Sequence, residues 1–170
     1  MPMVPDNALD WFEQVCSCLN NAQCDYLIAG GIATVFHGNP RVTMDLDCYI
    51  DWERENALKT MSVLRELGFV LSQPVKEESL VDPAVRAALF EQKGMLVATF
   101  LNPLFPERVV DLLFEQSCLP FQEAKLRKVE MGGLECSLPT MSIDDLIVMK
   151  RAAGREKDIQ DISVLESLKR

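Results

Sequence analysis

Apolar residues recur along this chain with two different spacings, and each spacing names an element. From Ala8 through Trp11, Phe12, Val15 and Leu19 they follow a helical stripe, with Asp6 placed to cap a helix that runs to about Asn21. Tyr26–Ala29 is a short apolar run stopped by Gly30 and Gly31, and "IATVFHG" reads as a brief helix ending at Gly38. A longer helix is expected from about Trp52 to Leu67, closed by Gly68, and "DPAVRAALFEQ" predicts another with Pro83 in its first position. "MLVATFL" and "RVVDLLF" are β-prone runs joined by "NPLFPE", a pair of strands, while "KVEMGGLECSL" carries Gly132-Gly133 between two alternating runs as a hairpin does. Ser142 with Asp145 resembles a capping box opening "IDDLIVMKRAA", and Gly154 separates it from a last helix, Glu156–Leu168. Helices and strands interleaved in this way predict an α/β (α+β) protein, a mixed sheet of about five strands flanked by helices, folded as a single domain over residues 1–170.

One stretch departs from ordinary patterning. In "RVTMDLDCYID", Arg41–Asp51, a strand would place Val42, Met44, Leu46, Cys48 and Ile50 on one face and Arg41, Thr43, Asp45 and Asp47 on the other. Two carboxylates on one strand face fit either a solvated surface or a site that holds a metal ion. Asp111 bears on that choice, because it sits inside the apolar run "RVVDLLF". Burying an unpartnered carboxylate costs several kcal/mol or forces its protonation. A cation beside it removes that cost; an edge position or a partner Arg is the plainer alternative.

Composition narrows the partners. Hydrophobic residues make up 48% and charged residues 25%, the balance of a folded globular protein, and the net charge of −9 disfavours an extended nucleic-acid surface while allowing a local pocket for a nucleotide. No apolar run is long enough to cross a bilayer, and the first residues carry no basic and apolar leader pattern. The six cysteines form no C-x-x-C pair. They are expected to be reduced thiols in a cytoplasmic protein, not a zinc site.

Two further features bear on chemistry. A glycine pair between strand and helix lets the backbone approach a phosphate, although most such pairs are ordinary turns. On one continuous helix Lys150, Lys157, Asp158 and Asp161 would share a face, which by itself describes a solvated, salt-bridged surface; a break at Gly154 would scatter them. His37, the only histidine, reads as a cap or surface residue.

The segment "GGIATVFHGNPRVTMDLDCYI" resembles the signature of the DNA polymerase β-like nucleotidyltransferase superfamily. Gly30-Gly31 is followed by thirteen residues and then by Asp45-Leu46-Asp47-Cys48. The H-G pair, the R-x-T-x-D-x-D pattern and "DLIVMKRAAGREKDIQDI" are similar to its minimal, AbiEii-toxin-like branch. The resemblance implies an enzyme moving an NMP from an NTP to a hydroxyl on RNA, protein or a small molecule, or else a nucleotide-binding module with little catalysis. It implies that Asp45, Asp47 and Asp111 ligate Mg²⁺ (or Mn²⁺), with Asp111 also a base. Gly30, Gly31, Arg41, Thr43 and Lys150 would contact the nucleotide, and an antitoxin-type protein would be a partner. Many relatives carry Ser or Thr at or just after the glycine pair, where this chain has Gly31-Ile32, so a phosphate contact is absent or comes from elsewhere. A purely structural protein is the third reading, in which the acids are coincidence.

Overall fold

A computed structural model describes residues 8–117, 119–132 and 135–169. Asp6, Cys118 and Gly133, to which the sequence assigned a cap, a thiol and a hairpin turn, lie outside the described residues. In chain order the helices are α1 (Ala8–Asn21), α2 (Gly30–Phe36), α3 (Arg54–Glu66), α4 (Pro83–Lys93), α5 (Phe121–Leu126), α6 (Ile143–Ala153) and α7 (Glu156–Leu168). The strands are β1 (Tyr26–Ile28), β2 (Asp45–Ile50), β3 (Val70–Leu71), β4 (Val97–Asn102), β5 (Phe105–Leu113), β6 (Val129–Gly132) and β7 (Ser137–Thr140). They form one mixed sheet in the order β3-β4-β5-β2-β1-β7-β6, seven strands among the described residues where about five were expected. The two-residue β3 is too short to leave a periodic signal, which accounts for part of the difference.

The centre of the sheet fixes everything near the site. β2 and β5 run parallel with Asp45 level with Val109 and Asp47 level with Asp111, while β4 pairs antiparallel with β5 and sets Thr99 level with Asp111 and Val97 level with Leu113. Residues level with one another point to the same face, so one face carries Leu46, Cys48, Ile50, Val110, Leu112, Ala98 and Phe100, all fully buried. The opposite face carries Asp45, Asp47 and Asp111. Helix α1 lies on the apolar face, where the Tyr26 hydroxyl donates to the Cys16 carbonyl oxygen at 3.3 Å. On the acidic face α5 packs against β2 through Tyr49 and Phe121, whose rings meet edge to face at 5.4 Å.

Two expected strand and helix limits move. β2 starts at Asp45, not Arg41, and the preceding residues form an irregular extended segment. Val42 and Met44 are therefore not on the core face; they are 86% and 46% exposed. A bare alternation cannot tell a paired strand from an extended loop, because both give the same parity. The helix expected from Trp52 begins at Arg54, since the Glu53 carboxylate accepts from the Glu55 and Asn56 N–H groups and caps it there. Trp52 instead donates its indole N–H to the Leu113 carbonyl oxygen at 2.8 Å. Elsewhere the stop and start signals are found in place. Pro83 begins α4 after an Asp82 cap, the Ser142 hydroxyl accepts from the Asp145 N–H at 3.2 Å, and Gly154 ends α6 with φ +64°.

Since Phe100 is wholly enclosed on the apolar face, Phe100→Ala is expected to lower unfolding free energy by about 3–5 kcal/mol, the usual range for an aromatic deletion in a core. Urea denaturation followed by tryptophan fluorescence measures it.

Candidate active site

Gly30 and Gly31 are not a turn before the helix but its first residues, because α2 begins at Gly30. Gly30 has φ +59°, and a Cβ there would lie 2.0 Å from Asp47 Oδ2. No other residue type fits between this backbone and that carboxyl group. The Gly31 N–H donates to the same Oδ2 at 3.4 Å, and a Cβ on Gly31 would lie 2.8 Å from Thr43 Oγ1 and 3.6 Å from an Arg41 guanidinium nitrogen. Thr43 thus fills the space in which a side chain at position 31 would sit.

One cavity of about 840 Å³ joins the predicted residues. Gly30, Gly31, Arg41, Thr43, Asp45, Asp47, Asp111 and Lys150 all line it. Asp111 is not on an edge strand, and among the described residues no arginine is ion-paired with it. It lies on β5 between β4 and β2, and its Oδ1 accepts from the Thr99 hydroxyl at 2.6 Å. Burial pushes the Asp47 carboxyl up to about 7, with the charges of Asp111 and Asp45 adding to the rise and the Gly31 N–H opposing it. Burial likewise raises Asp111, against the Thr99 hydrogen bond and with Asp45. Among the described residues no three acidic, His or Cys side chains are already gathered as a metal cage. Asp47 is turned to the glycine pair and Asp111 to Thr99.

Three of the cavity's cations, Arg41, Lys150 and Arg155, are already paired. Lys150, 4% exposed, donates to Asp161 Oδ2 at 2.8 Å and lies 3.6 Å from Asp158. Arg41 is ion-paired with the same Asp161, and the Asn39 amide donates to its other oxygen at 3.0 Å. Arg155 donates to Asp158 at 2.7 Å. Burial would raise the Asp158 carboxyl, but Arg155 and Lys150 outweigh it and hold the group below its ordinary value. Lys150, Asp158 and Asp161 are therefore neither the solvated face of one helix nor scattered by Gly154, whereas Lys157 is exposed and lines the cavity. The break at Gly154 folds α7 back on α6, so residues eight and eleven apart in sequence meet across two helices. Arg155, Asn39 and Thr99 had not been singled out in the sequence. Arg155 was within the C-terminal motif, whereas Asn39 and Thr99 leave no signal without the pairing that brings them in. His37 caps α2, and its Nε2 lies 2.8 Å from the Met141 carbonyl oxygen.

From residue 9 to residue 168 the sequence matches the family described as "Nucleotidyltransferase of unknown function (DUF6036)". The chain belongs to this nucleotidyltransferase family. No curated protein matches it. Among solved structures, the antibiotic-resistance factor ANT(2'')-Ia in solution superposes with a TM-score of 0.60 at 12% identity, over 92% of this chain and 81% of that one. The lincosamide antibiotic adenylyltransferase LnuA, bound to lincomycin, gives 0.59 at 14% identity over 97% and 98% of the two chains. A protein of Thermotoga maritima described as a candidate nucleotidyltransferase gives 0.57 at 11% identity, over 97% and 94%. At these identities the likeness is one of fold. Among the described residues of this nucleotidyltransferase no helix is long and apolar enough to cross a membrane, and the five described cysteines are free thiols.

Two measurements on the metal-free nucleotidyltransferase follow. Asp161 compensates a buried ammonium, so Asp161→Ala should destabilise by about 3–5 kcal/mol. Asp111→Ala removes one of three mutually repelling acids and should leave the melting temperature unchanged or raised. A large loss at Asp111 in chelator would mark it as structural.

The second concerns pH. Asp47 is raised from 3.8 to about 7 in the fold, so its protonated form favours folding. That contribution is complete below the unfolded pKa of 3.8 and is lost as pH rises through about 7. Stability in chelator should therefore fall between about pH 4 and 7, by an amount that Asp47→Asn abolishes; melts across this window, at about unit spacing, test the linkage.

Proposed function

We propose that this nucleotidyltransferase moves an NMP from an NTP to a hydroxyl acceptor, with Asp45, Asp47 and Asp111 as the acids of the site. The observation that carries the reading is the meeting of three carboxylates, a glycine pair and a cationic wall in one cavity. The carboxylates are hard oxygen donors on two paired strands, a set that suits Mg²⁺ or Mn²⁺. Such a cation, when bound, neutralises phosphate charge and offsets the burial and the repulsion that raise Asp47.

The chain's own residues supply the rest. Gly30 and Gly31 allow the β- and γ-phosphates to approach the backbone. Arg41 and Lys150 balance their charge, drawing on contacts now given to Asp161. The Thr43 hydroxyl, placed against Gly31, supplies the contact that Ile32 cannot, which favours an active site over a weakened nucleotide-binding module. Asp111 accepts the acceptor's proton as its oxygen bonds to the α-phosphorus; the bond from that phosphorus to the bridging oxygen breaks, and pyrophosphate leaves with the electron pair.

The H-G pair and the R-x-T-x-D-x-D pattern support the narrower placement in the AbiEii-like branch, with a toxin role and an antitoxin-type partner. One domain spanning 1–170, working in the cytoplasm, completes the reading.

Each NTP with Mg²⁺ or Mn²⁺ is to be tested by thermal melting. At a nucleotide concentration of a hundred times Kd, stability should rise by about 2.7 kcal/mol. Asp47→Asn should remove most of that gain. An equal shift in mutant and wild type would place the nucleotide elsewhere, and no shift with any NTP would overturn the transferase reading.

A further inference from the structure

The cavity is larger and more two-sided than a nucleotide needs. Its volume of about 840 Å³ lies toward the upper end of small-ligand sites, roughly 300–1,000 Å³. Its cations, Arg41, Lys150, Arg155 and Lys157, all come from the segment before β2 and from the α6–α7 side. The wall built by α4, β4, β5 and the residues flanking them is different. Its described lining is Phe90, Leu96, Val97, Leu113 and Gln116 beyond Asp111, with no cation.

The register places this wall with respect to the chemistry. Level across β2, β5 and β4 lie Asp47, Asp111 and Thr99; two residues further, on the same face, lie Tyr49, Leu113 and Val97. That step is roughly 6.5–7 Å along the strands. An apolar floor thus begins one side-chain row beyond the carboxylates. Phe90 and Leu96 line the same cavity and are 36% and 41% exposed, an apolar surface beside a row of acids. Gln116 is the polar group on this wall. Its Oε1 is buried with no hydrogen-bond partner among the described residues.

In-line displacement decides which half of the substrate pair lies there. The attacking oxygen and the departing pyrophosphate must lie on opposite sides of the α-phosphorus. The pyrophosphate side is the glycine pair, which opens α2 just after β1, with the cations of α6, which packs on α2; in the order β4-β5-β2-β1 the side away from β1 is β5 and β4. Resting on the transferase reading above, we infer that the α4–β4–β5 wall is the acceptor subsite and that its occupant is a small hydroxyl compound with an apolar face, not a nucleic acid. A polynucleotide acceptor needs cations along its phosphates, and this wall has none among its described lining residues.

The test uses α-³²P-labelled NTP, Mg²⁺ and three fractions of one cell extract: solutes below about 1 kDa, the size of drug-like ligands, total RNA, and total protein. Wild type and the variants Phe90→Lys and Leu96→Lys are compared, both changes being at partly exposed positions where folding is not at stake. Label should enter the small-solute fraction. Each variant should lower that transfer by about tenfold or more while keeping the wild-type melting shift with Mg-NTP. Label in RNA or protein, or in none of the fractions despite a normal nucleotide shift, overturns the inference. A variant that loses the nucleotide shift shows that the wall holds the base instead, which also overturns it. Absence of any nucleotide shift in wild type brings down the transferase reading itself, so the two failures are told apart.

Discussion

The parallel pairing of β2 with β5 governs the site, because it sets Asp47 level with Asp111 on neighbouring central strands. Two acids so placed repel each other, and Asp45 adds a third charge. A fold optimised for stability alone would not put them there. On the other face of the same strands Leu46, Cys48, Ile50, Val110 and Leu112 are fully buried, so the strands cannot slip by one residue to relieve the repulsion without exposing that core. The core holds the acids together against their electrostatics.

The surroundings answer this strain in a graded way. Asp47 is turned to the Gly31 N–H and sits where only a glycine backbone leaves room, while Asp111 takes the Thr99 hydroxyl. Across the cavity the charges are already balanced among themselves. Asp161 accepts from Asn39 and Arg41, in the segment before β2, and from Lys150 on α6, and so ties that segment to both C-terminal helices. Buried ion pairs of this kind are poor sources of net stability, but they are costly to break and therefore specify geometry. In this protein they hold two cations at the rim of an acidic cavity. A polyanion entering there would compete with Asp161 for Arg41 and Lys150, so binding and the packing of α7 are coupled by a shared carboxylate.

The cavity also divides by character. All of its cations come from the segment before β2 and from the α6–α7 side, whereas the side over β4 and β5 is lined by apolar side chains and Gln116 beyond Asp111. This division follows from strand order, not from any contiguous motif, because Phe90, Val97 and Leu113 belong to three different elements.

The sequence by itself determined the elements and the chemistry-bearing residues. Period-two and helical spacing, Pro83, Ser142 and Gly154 located strands, helices and their ends, since those signals act within a few residues. The D-x-D pair, the acid within "RVVDLLF" and the glycine pair could be read because local composition makes them anomalous. Only the tertiary structure decided where the strand bearing Asp47 begins, since Val42 and Met44 have strand-like parity but no partner strand among the described residues. It likewise decided that Lys150 and Asp161 meet across two helices instead of along one, that Thr99 and not an arginine attends Asp111, and that an apolar wall faces the acids. Each of these depends on contacts between residues far apart in sequence, and periodicity along a single segment carries no record of which segment it will meet.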